Sequence, residues 1–294
     1  MTATDPTTAP AAAPARTASA GSGPVPRPRT PGVGTLRHGA TLARRNLRHV
    51  ARIPGRIVTG IVQPVMLVLL FAYVFGGSLG GRDYREFLLG GIIAQTMVFN
   101  SAFTTVGLAN DVQRGIVERL RSLPVNPLAL ILGRTTADLA VTVVTLVVVS
   151  LTGLAVGWRV HGTVGGVALA YLLAIAFSFA MSWVGASIGL AARSVEVAQS
   201  AGLIWFFPST LISTAFVSVE AMPGPLRLIA QWNPVSAVAT TMRELFGNAV
   251  PPELARPPGW PAEHAGLYAV LASAGILVVF MPLALRLFRR RTAS

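Results

Sequence analysis

Six long runs of uncharged and mostly apolar residues dominate the pattern of this chain. A helix rises 1.5 Å per residue, so about 20 residues cross the hydrocarbon core of a bilayer. None of the runs alternates polar and apolar positions as the strands of a membrane β-barrel do. The pattern therefore predicts an all-α, polytopic membrane protein with six transmembrane helices, at 57–75, 87–110, 139–158, 163–192, 197–219 and 266–285.

The composition supports a lipid-facing protein. Hydrophobic residues make up 52% of the 294 residues and charged residues only 12%, whereas a soluble domain carries about 25% charge. The net charge of +13 comes entirely from arginine, because the chain contains no lysine. That absence excludes the P-loop, which needs a lysine on the nucleotide phosphates. The absence of cysteine excludes disulfides and thiolate chemistry.

Two segments of different character precede the first run. Residues 1–34 are rich in Pro, Ala and Thr and predict a disordered tail with no signal-peptide core. Residues 35–56 place apolar side chains three and four positions apart, with arginines on the other faces. This segment predicts a basic amphipathic helix that lies on an anionic leaflet. A solvated helix packed on protein is the alternative interpretation.

The arginines also predict the orientation. With both termini in the cytoplasm, 18 of the 24 arginines lie on the inner side, as the positive-inside rule expects. Membrane topology then explains the net positive charge of the chain. No base-stacking or groove-reading element accompanies the arginines, so nucleic acid is not an expected partner.

A short inner segment between runs two and three, 109–127, predicts a cytoplasmic helix with an apolar edge. Arg114 and Glu118 can pair four residues apart, and Pro124 ends the helix. Such a helix suits docking into a groove on a soluble partner. A surface connector folded on its own bundle fits the pattern equally well.

The outer segment between runs five and six, 220–265, carries two helix signals. Pro225 opens the first, and Asn233-Pro234 reads as the cap and first residue of the second, which Gly247 can close. Two short amphipathic helices beneath the outer headgroups are expected. The sequence leaves open whether they re-enter the bilayer.

Several polar residues near or within the runs are candidates for function. Arg134 and Asp138, four apart at the start of run three, predict either an ion pair at the cytoplasmic edge or a role in gating. Gln63-Pro64 predicts a kink in run one. A group of uncharged polar residues lines a substrate path or bonds across helices, and its leading members are Gln95, Asn100, Thr104, Ser209 and Ser213.

Catalytic and metal chemistry are not expected in this chain. Gly185, Ser187 and Gly189 match the G-x-S-x-G pattern, but that pattern has meaning at a strand-to-helix turn and here falls inside a predicted span. The two glycines predict close helix packing instead. An intramembrane hydrolase built on Ser187 is the weaker alternative. The four histidines lack metal-ligand spacing.

Several stretches resemble a known family over residues 35–290. They begin with Gln63-Pro64-Val65 and Phe75-Gly76-Gly77 in run one and Glu118-Arg119-Leu120-Arg121-Ser122-Leu123-Pro124 in the inner segment. Gly133-Arg134 with Asp138-Leu139 and Asn233-Pro234-Val235-Ser236 followed by Arg243 complete them. The chain resembles the membrane subunit of type-2 ATP-binding-cassette (ABC) exporters, of the daunorubicin-resistance type. Ala237 departs from the polar or basic residue that the family often has there, so no substrate contact is assigned to that segment.

The resemblance implies a non-catalytic permease domain at 57–290, with 35–56 as an elbow helix along the inner leaflet. It implies a cell-membrane protein that pairs with a second permease copy and two ATPase subunits. ATP and Mg²⁺ would bind those subunits, so no cofactor is expected in this chain. The cargo would be hydrophobic or amphipathic and drug-like. The implied ATPase-coupling residues are Arg114, Glu118, Arg119, Leu120 and Arg121.

Two other transport functions remain open from the sequence. Within the same class, a lipid or polysaccharide exporter would share these features. From a different class, a secondary transporter driven by an ion gradient needs titratable groups inside the membrane. The predicted spans offer such a carrier only Asp138, near an edge.

Overall fold

Helices form all the regular structure in the part of the chain that the computed structural model describes, residues 54–75, 81–115, 127–216, 222–248 and 259–293. The first described helix, Pro54–Leu70, continues into a π-helical segment, Phe71–Phe75. The helices are α1 (Pro54–Leu70), α2 (Gly81–Gln113), α3 (Pro127–Ala155), α4 (Val164–Ala191), α5 (Val195–Leu211), α6 (Gly224–Gln231), α7 (Pro234–Phe246), α8 (Trp260–Glu263) and α9 (Ala265–Ala293).

Four of these helices, α2, α3, α4 and α9, are long and apolar enough to cross a membrane. They coincide with four of the predicted runs, which confirms the prediction of an all-helical fold, with long apolar helices, for the described residues. The first run is helical over its whole length, Pro64 included, and ends at Phe75. The fifth run overlaps the 17-residue α5. Six spans therefore stay a prediction. The predicted elbow helix and residues 116–126 of the inner segment lie outside the described residues.

The bundle is built around α2 and α4, which have the most extensive contact of any two helices described. Two glycines of α4 make the close approach possible. A Cβ atom at Gly185 would overlap the carbonyl oxygen of Ser101, and one at Gly189 would overlap that of Thr105. The predicted packing role of this glycine pair is confirmed. Around this pair, α3 and α5 pack on α2, while α9 packs on α4.

Large apolar side chains cover the outside of this bundle. On α9, Val278 is 74% exposed, and Val270 and Leu271 are each more than half exposed. Val147 and Leu151 form a similar surface on α3. Soluble monomers rarely show such continuous apolar surface, so these faces are those expected for contact with lipid tails.

The helix α7 packs on the end of the bundle where α2 begins, here called the α7 end, and α6 contacts α7. Both occur where the sequence predicts them. The side chain of Asn233 accepts a hydrogen bond from Val235 N at 2.9 Å, which caps α7. Gly247 ends α7 with a left-handed φ of 68°, a conformation that glycine adopts without a steric penalty.

Arg243 on α7 is the buried tie between α7 and the bundle. Its guanidinium donates to the carbonyl oxygens of Phe87, Thr214 and Ala215 at 2.7, 3.0 and 2.8 Å. The guanidinium carbon also lies 3.5 Å from the centre of the Phe87 ring. Burial lowers the pKa of Arg243 to about 9 because the charged form loses its water. It remains a cation near pH 7, and the carbonyl dipoles compensate for the lost hydration.

Two arginines tie the helices at the opposite end of the bundle. Arg134 of α3 donates to Asp111 of α2 at 2.6 Å, and Gly107 leaves room for its guanidinium. Arg291 of α9 donates to the last carbonyls of α4, including Ala192 O at 2.8 Å. The contacts of Arg291 satisfy carbonyl groups that have no partner within a helix end.

Replacing Arg243 with Met is expected to destabilise the protein strongly. The substitution leaves the Thr214 and Ala215 carbonyls buried without their donor, at a cost of about 1–3 kcal/mol each. We expect a clear fall in the melting temperature of the detergent-solubilised protein, followed by size-exclusion chromatography. Arg193→Met, at an exposed arginine, should change it little. Equal melting curves for Arg243→Met and wild type would refute the role of this tie.

Gly189→Val should break the contact between α2 and α4. The added side chain would meet the Thr105 backbone, which cannot move without displacing α2. We expect most of the protein to aggregate or to melt at a much lower temperature. Gly275→Ala on α9 is the matched control, because a Cβ atom there meets open space and alanine favours helix by up to about 1 kcal/mol. A Gly189→Val protein that melts like this control would contradict the packing described.

Candidate functional site

A cavity of about 550 Å³ lies between α1, α2 and α5. Its volume is within the range of small-molecule sites, about 300–1,000 Å³. The lining comes from three separate parts of the chain. Its residues are Gly60, Gln63, Pro64 and Leu67 of α1; Gln95, Thr96, Phe99, Asn100, Ala102, Phe103, Thr105 and Val106 of α2; and Ala198, Gln199, Gly202, Leu203 and Phe207 of α5.

The lining is apolar and aromatic, with a small number of polar groups. Phe99 of α2 and Phe207 of α5 meet edge to face, with ring centres 6.4 Å apart. Phe103 lies beside them and contacts the α1 backbone near Gly60. Among the described residues that line the cavity, none carries a charge. The cavity is therefore suited to a ligand with an apolar body and a modest polar head.

The polar groups of the lining differ in how deeply they are buried. Gln95, Thr96, Asn100 and Thr105 are buried on α2 and form one wall. In contrast, Gln63 of α1 and Gln199 of α5 are exposed and lie at the rim. The α2 wall is thus the part of the cavity that can orient a ligand away from solvent.

The structure brings two of the five predicted path residues into this cavity, Gln95 and Asn100. The other three hydroxyls have bonds elsewhere. Thr104 donates to Asp138 at 2.5 Å, Ser209 donates to Phe206 O, and Ser213 donates to Thr210 O. A role in transport stays a prediction for all five.

The sequence did not predict several of the lining residues. They include Phe99, Gln63 and Gln199, which the structure brings together at one cavity. Inside a long apolar run, the positions of phenylalanine and amide side chains do not indicate which of them face a cavity and which face lipid. A glutamine in the first part of each of predicted runs one and five, Gln63 and Gln199, is the sequence signal that could have suggested a shared polar surface.

The two residues predicted as a charged pair at the start of α3, Arg134 and Asp138, each contact α2. Arg134 forms an ion pair with Asp111 of α2. Asp138 accepts a hydrogen bond from Thr104, which also belongs to α2. Both contacts join α2 to α3 on the side away from the α7 end. Gating by these residues stays a prediction.

The predicted ATPase-coupling group lies only partly within the described residues. Arg114 follows α2 and is exposed. Glu118, Arg119, Leu120 and Arg121 lie outside the described residues. The continuous helix from Gly81 to Gln113 nevertheless joins the cavity wall directly to the start of this segment.

Ser187, the residue of the G-x-S-x-G pattern, is committed to structural bonds. Its hydroxyl donates to Trp183 O at 3.0 Å and lies 3.3 Å from Phe280 O of α9. Within the described residues, no cluster of three metal-ligating side chains occurs.

Comparison with known proteins shows the same relationship from sequence. The chain is 31% identical over 267 residues to the daunorubicin resistance ABC transporter permease protein DrrB1 of Streptomyces coeruleorubidus, covering 86% of this chain and 89% of that one. It is 24% identical over 214 residues to a protein named as a transport permease, ycf38, of Porphyra purpurea. That match covers 70% of this chain and 73% of the relative.

A family model agrees with these relatives over most of the chain. The model for the ABC-2 type transporter matches residues 38–246. This range includes α1 to α7 and so the whole cavity. The chain therefore belongs to the ABC-2 type transporter family and is a multi-pass membrane permease.

Proposed function

We propose that this protein is the permease subunit of an ABC exporter that moves a hydrophobic or amphipathic, drug-like substrate out of the cell. A separate ATPase subunit would supply the energy. One observation carries the proposal: a cavity with no charged lining residue, whose main wall is α2, a helix that runs without a break from Gly81 to Gln113 and so into the inner segment 109–127. Membership of the family and the drug-resistance relative support it.

In this proposal the chain spans the membrane six times. Besides the four long helices, α1 with its π-helical extension and α5 with the residues that follow it would complete the crossings. The described arginines near the end opposite α7 include Arg114, Arg134 and Arg193, and the four arginines from Arg286 to Arg291 follow on α9. We place this end, and both termini, in the cytoplasm. Residues 35–56 would lie along the inner leaflet.

The inner segment would transmit the motion of the ATPase. Arg114, Glu118, Arg119, Leu120 and Arg121 would seat in a groove of the ATPase subunit, two copies of which serve two permease chains. Closure of the ATPase dimer would then displace the inner end of α2. Because Asp111 and Thr104 of α2 bond to Arg134 and Asp138 of α3, the two helices would move together. The cavity would change its access as one wall shifts, provided that the two states bind the ligand differently.

A lipid or polysaccharide exporter would be built in the same way, and absence of daunorubicin uptake by the wild-type protein together with its ATPase subunit would favour such a cargo. A carrier driven by an ion gradient would function without ATP. Transport by wild-type protein that persists after ATP depletion, with the proton gradient intact, would favour that alternative.

Reversing the charges of the inner segment is expected to uncouple the exporter. Arg119→Glu combined with Arg121→Glu should abolish co-purification with the ATPase subunit and reduce ATP-dependent daunorubicin uptake into inverted membrane vesicles at least about tenfold, since two favourable contacts become repulsive. Arg289→Glu with Arg290→Glu, at the end of α9, is the matched control of equal charge change. If the inner double variant keeps both association and transport, the coupling assignment is wrong.

Filling the cavity should block transport without unfolding the protein. Gly202 of α5 lines the cavity, and an added Cβ atom would lie 3.4 Å from the nearest atom, in the Phe206 ring, which is an ordinary van der Waals contact. We expect Gly202→Phe to lower ATP-dependent daunorubicin uptake about tenfold or more while the size-exclusion profile is retained. Gly275→Phe adds the same ring to open space on α9 and should transport normally. Normal uptake by folded Gly202→Phe would exclude this cavity as the substrate path.

A further inference from the structure

We propose that an exposed surface at the α7 end of the bundle binds the phospholipid headgroup layer of the leaflet on that side, so that α6 lies along the membrane boundary and does not re-enter the bilayer. The surface, here called the α6 surface, combines the apolar face of α6 with an aromatic cluster beside it. Its members are Leu228, Ile229, Trp232, Trp260 and Tyr268. The inference goes beyond the proposed function, because it assigns a partner to a part of the fold that lines no cavity described above.

The helix α6 exposes apolar side chains on one face and is hardly covered by the bundle. Leu228, Ile229 and Trp232 are 59%, 54% and 52% exposed, and only one of the eight residues of α6 is buried. Arg227 and Gln231, four residues apart, share a different face of the helix. A helix that is apolar on one exposed face and polar on another is typical of one that lies in the plane of a membrane interface.

Aromatic side chains gather beside α6 at the start of α9. The Tyr268 ring meets the rings of Trp232 and Trp260 edge to face, with ring centres 5.8 and 6.2 Å apart. Both tryptophans are nevertheless about half exposed. Tryptophan and tyrosine are enriched where hydrocarbon meets water, because each joins an apolar ring to a polar N–H or O–H group. The cluster therefore has the chemistry of an interfacial anchor.

The helix α9 shows at what depth this cluster lies. Tyr268 and Arg286 are 18 residues apart with no charged residue between them. This length of helix spans about 27 Å, close to the hydrocarbon thickness of about 30 Å. Exposed apolar side chains such as Val270, Val278 and Leu283 cover the whole interval. If Arg286 lies at the headgroups of one leaflet, Tyr268 therefore lies at the headgroups of the other.

Two sets of hydrogen bonds hold the end of α6 at the depth of Tyr268. The Tyr268 hydroxyl donates to Trp232 O at 2.6 Å. At the next residue, the amide nitrogen of Asn233 donates to Ser209 O and Ile212 O near the end of α5, at 2.6 Å each. Because α6 is fixed to both α9 and α5 at this level, its apolar face meets the headgroup boundary. The helix α7 differs, since nine of its 13 residues are buried.

A lipid surface suits the α6 surface better than a soluble protein or a second copy of the chain. The cluster adjoins the exposed apolar face of α9, where Leu267 and Leu271 are 54% and 53% exposed, so one continuous surface runs from the lipid tails to the headgroups. The indole N–H groups of Trp232 and Trp260 can donate to phosphate and ester oxygens. The positive charge of Arg227 on the polar face suits phosphate as well.

Spin labels would measure the depth of α6 directly, because the chain contains no cysteine. Leu228→Cys and Ile229→Cys place a nitroxide on the apolar face, and Arg227→Cys is the matched control on the polar face. Val278→Cys marks the middle of the bilayer, about 15 Å along α9 from Tyr268. The full chain is studied in phosphatidylethanolamine–phosphatidylglycerol nanodiscs by electron paramagnetic resonance. The ratio of collisions with oxygen to collisions with a water-soluble nickel chelate reports the depth of each label.

We expect the labels of Leu228→Cys and Ile229→Cys to lie about 5–10 Å below the phosphates. Their collision ratio should be severalfold higher than that of Arg227→Cys and severalfold lower than that of Val278→Cys. Adding Trp232→Gln and Trp260→Gln to Leu228→Cys should lower the ratio towards that of Arg227→Cys, because the anchor is lost. Trp205→Gln, at a tryptophan of α5 that is 54% exposed, is the matched control and should leave it unchanged.

Four results would overturn the inference. Labels on the apolar face that are as open to the nickel chelate as Arg227→Cys would place α6 in water, and labels as deep as Val278→Cys would show re-entry. Labels closed to both reagents would show that a protein covers the face. An unchanged ratio in the folded tryptophan variant would remove the anchor.

Circular dichroism melting identifies a tryptophan variant that fails to fold, and the labels in the otherwise unchanged chain then decide the question alone. Failure of the proposed function is distinguishable. It would be seen as absent ATP-dependent uptake in vesicles while the depth profile in nanodiscs, which needs no ATPase subunit, persists.

Discussion

The close approach of α2 to α4 is the constraint on which the rest of the structure depends. Apolar helices gain little by leaving lipid for one another, so their association relies on close van der Waals contact and on hydrogen bonds between helices. Gly185 and Gly189 allow the α4 backbone to reach the carbonyls of Ser101 and Thr105. That contact fixes the rotation of α2, and the rotation decides which α2 side chains face the cavity.

Charge is kept to the two ends of the bundle, where it ties helices together. Arg243 joins α7 to α2 and to the residues that follow α5, while Arg134 and Arg291 bond to groups at the opposite end. Between these ends, buried polarity is supplied by hydroxyls and amides, which bond within and across helices. The polar wall of the cavity consists of the same kinds of group.

The sequence alone predicted most of the helices and many of their ends. Long uncharged runs predict α2, α3, α4 and α9 because only a helix satisfies its own backbone in lipid at that length. The cap at Asn233 and the left-handed Gly247 set the limits of α7 through local bonds between neighbours in the chain. The glycine pair on α4 was also visible, because small residues four apart share one helix face.

What only the tertiary structure decided is which polar residues meet. Gln95 and Asn100 share a cavity with Gln63 and Gln199, whereas Thr104, Ser209 and Ser213 bond elsewhere. Arg134 reaches Asp111, on a different helix. A run that is apolar on every side has no periodicity to show which face is buried. The rotation of each helix is set by contacts with residues distant in the chain, and those contacts exist only once the bundle is packed.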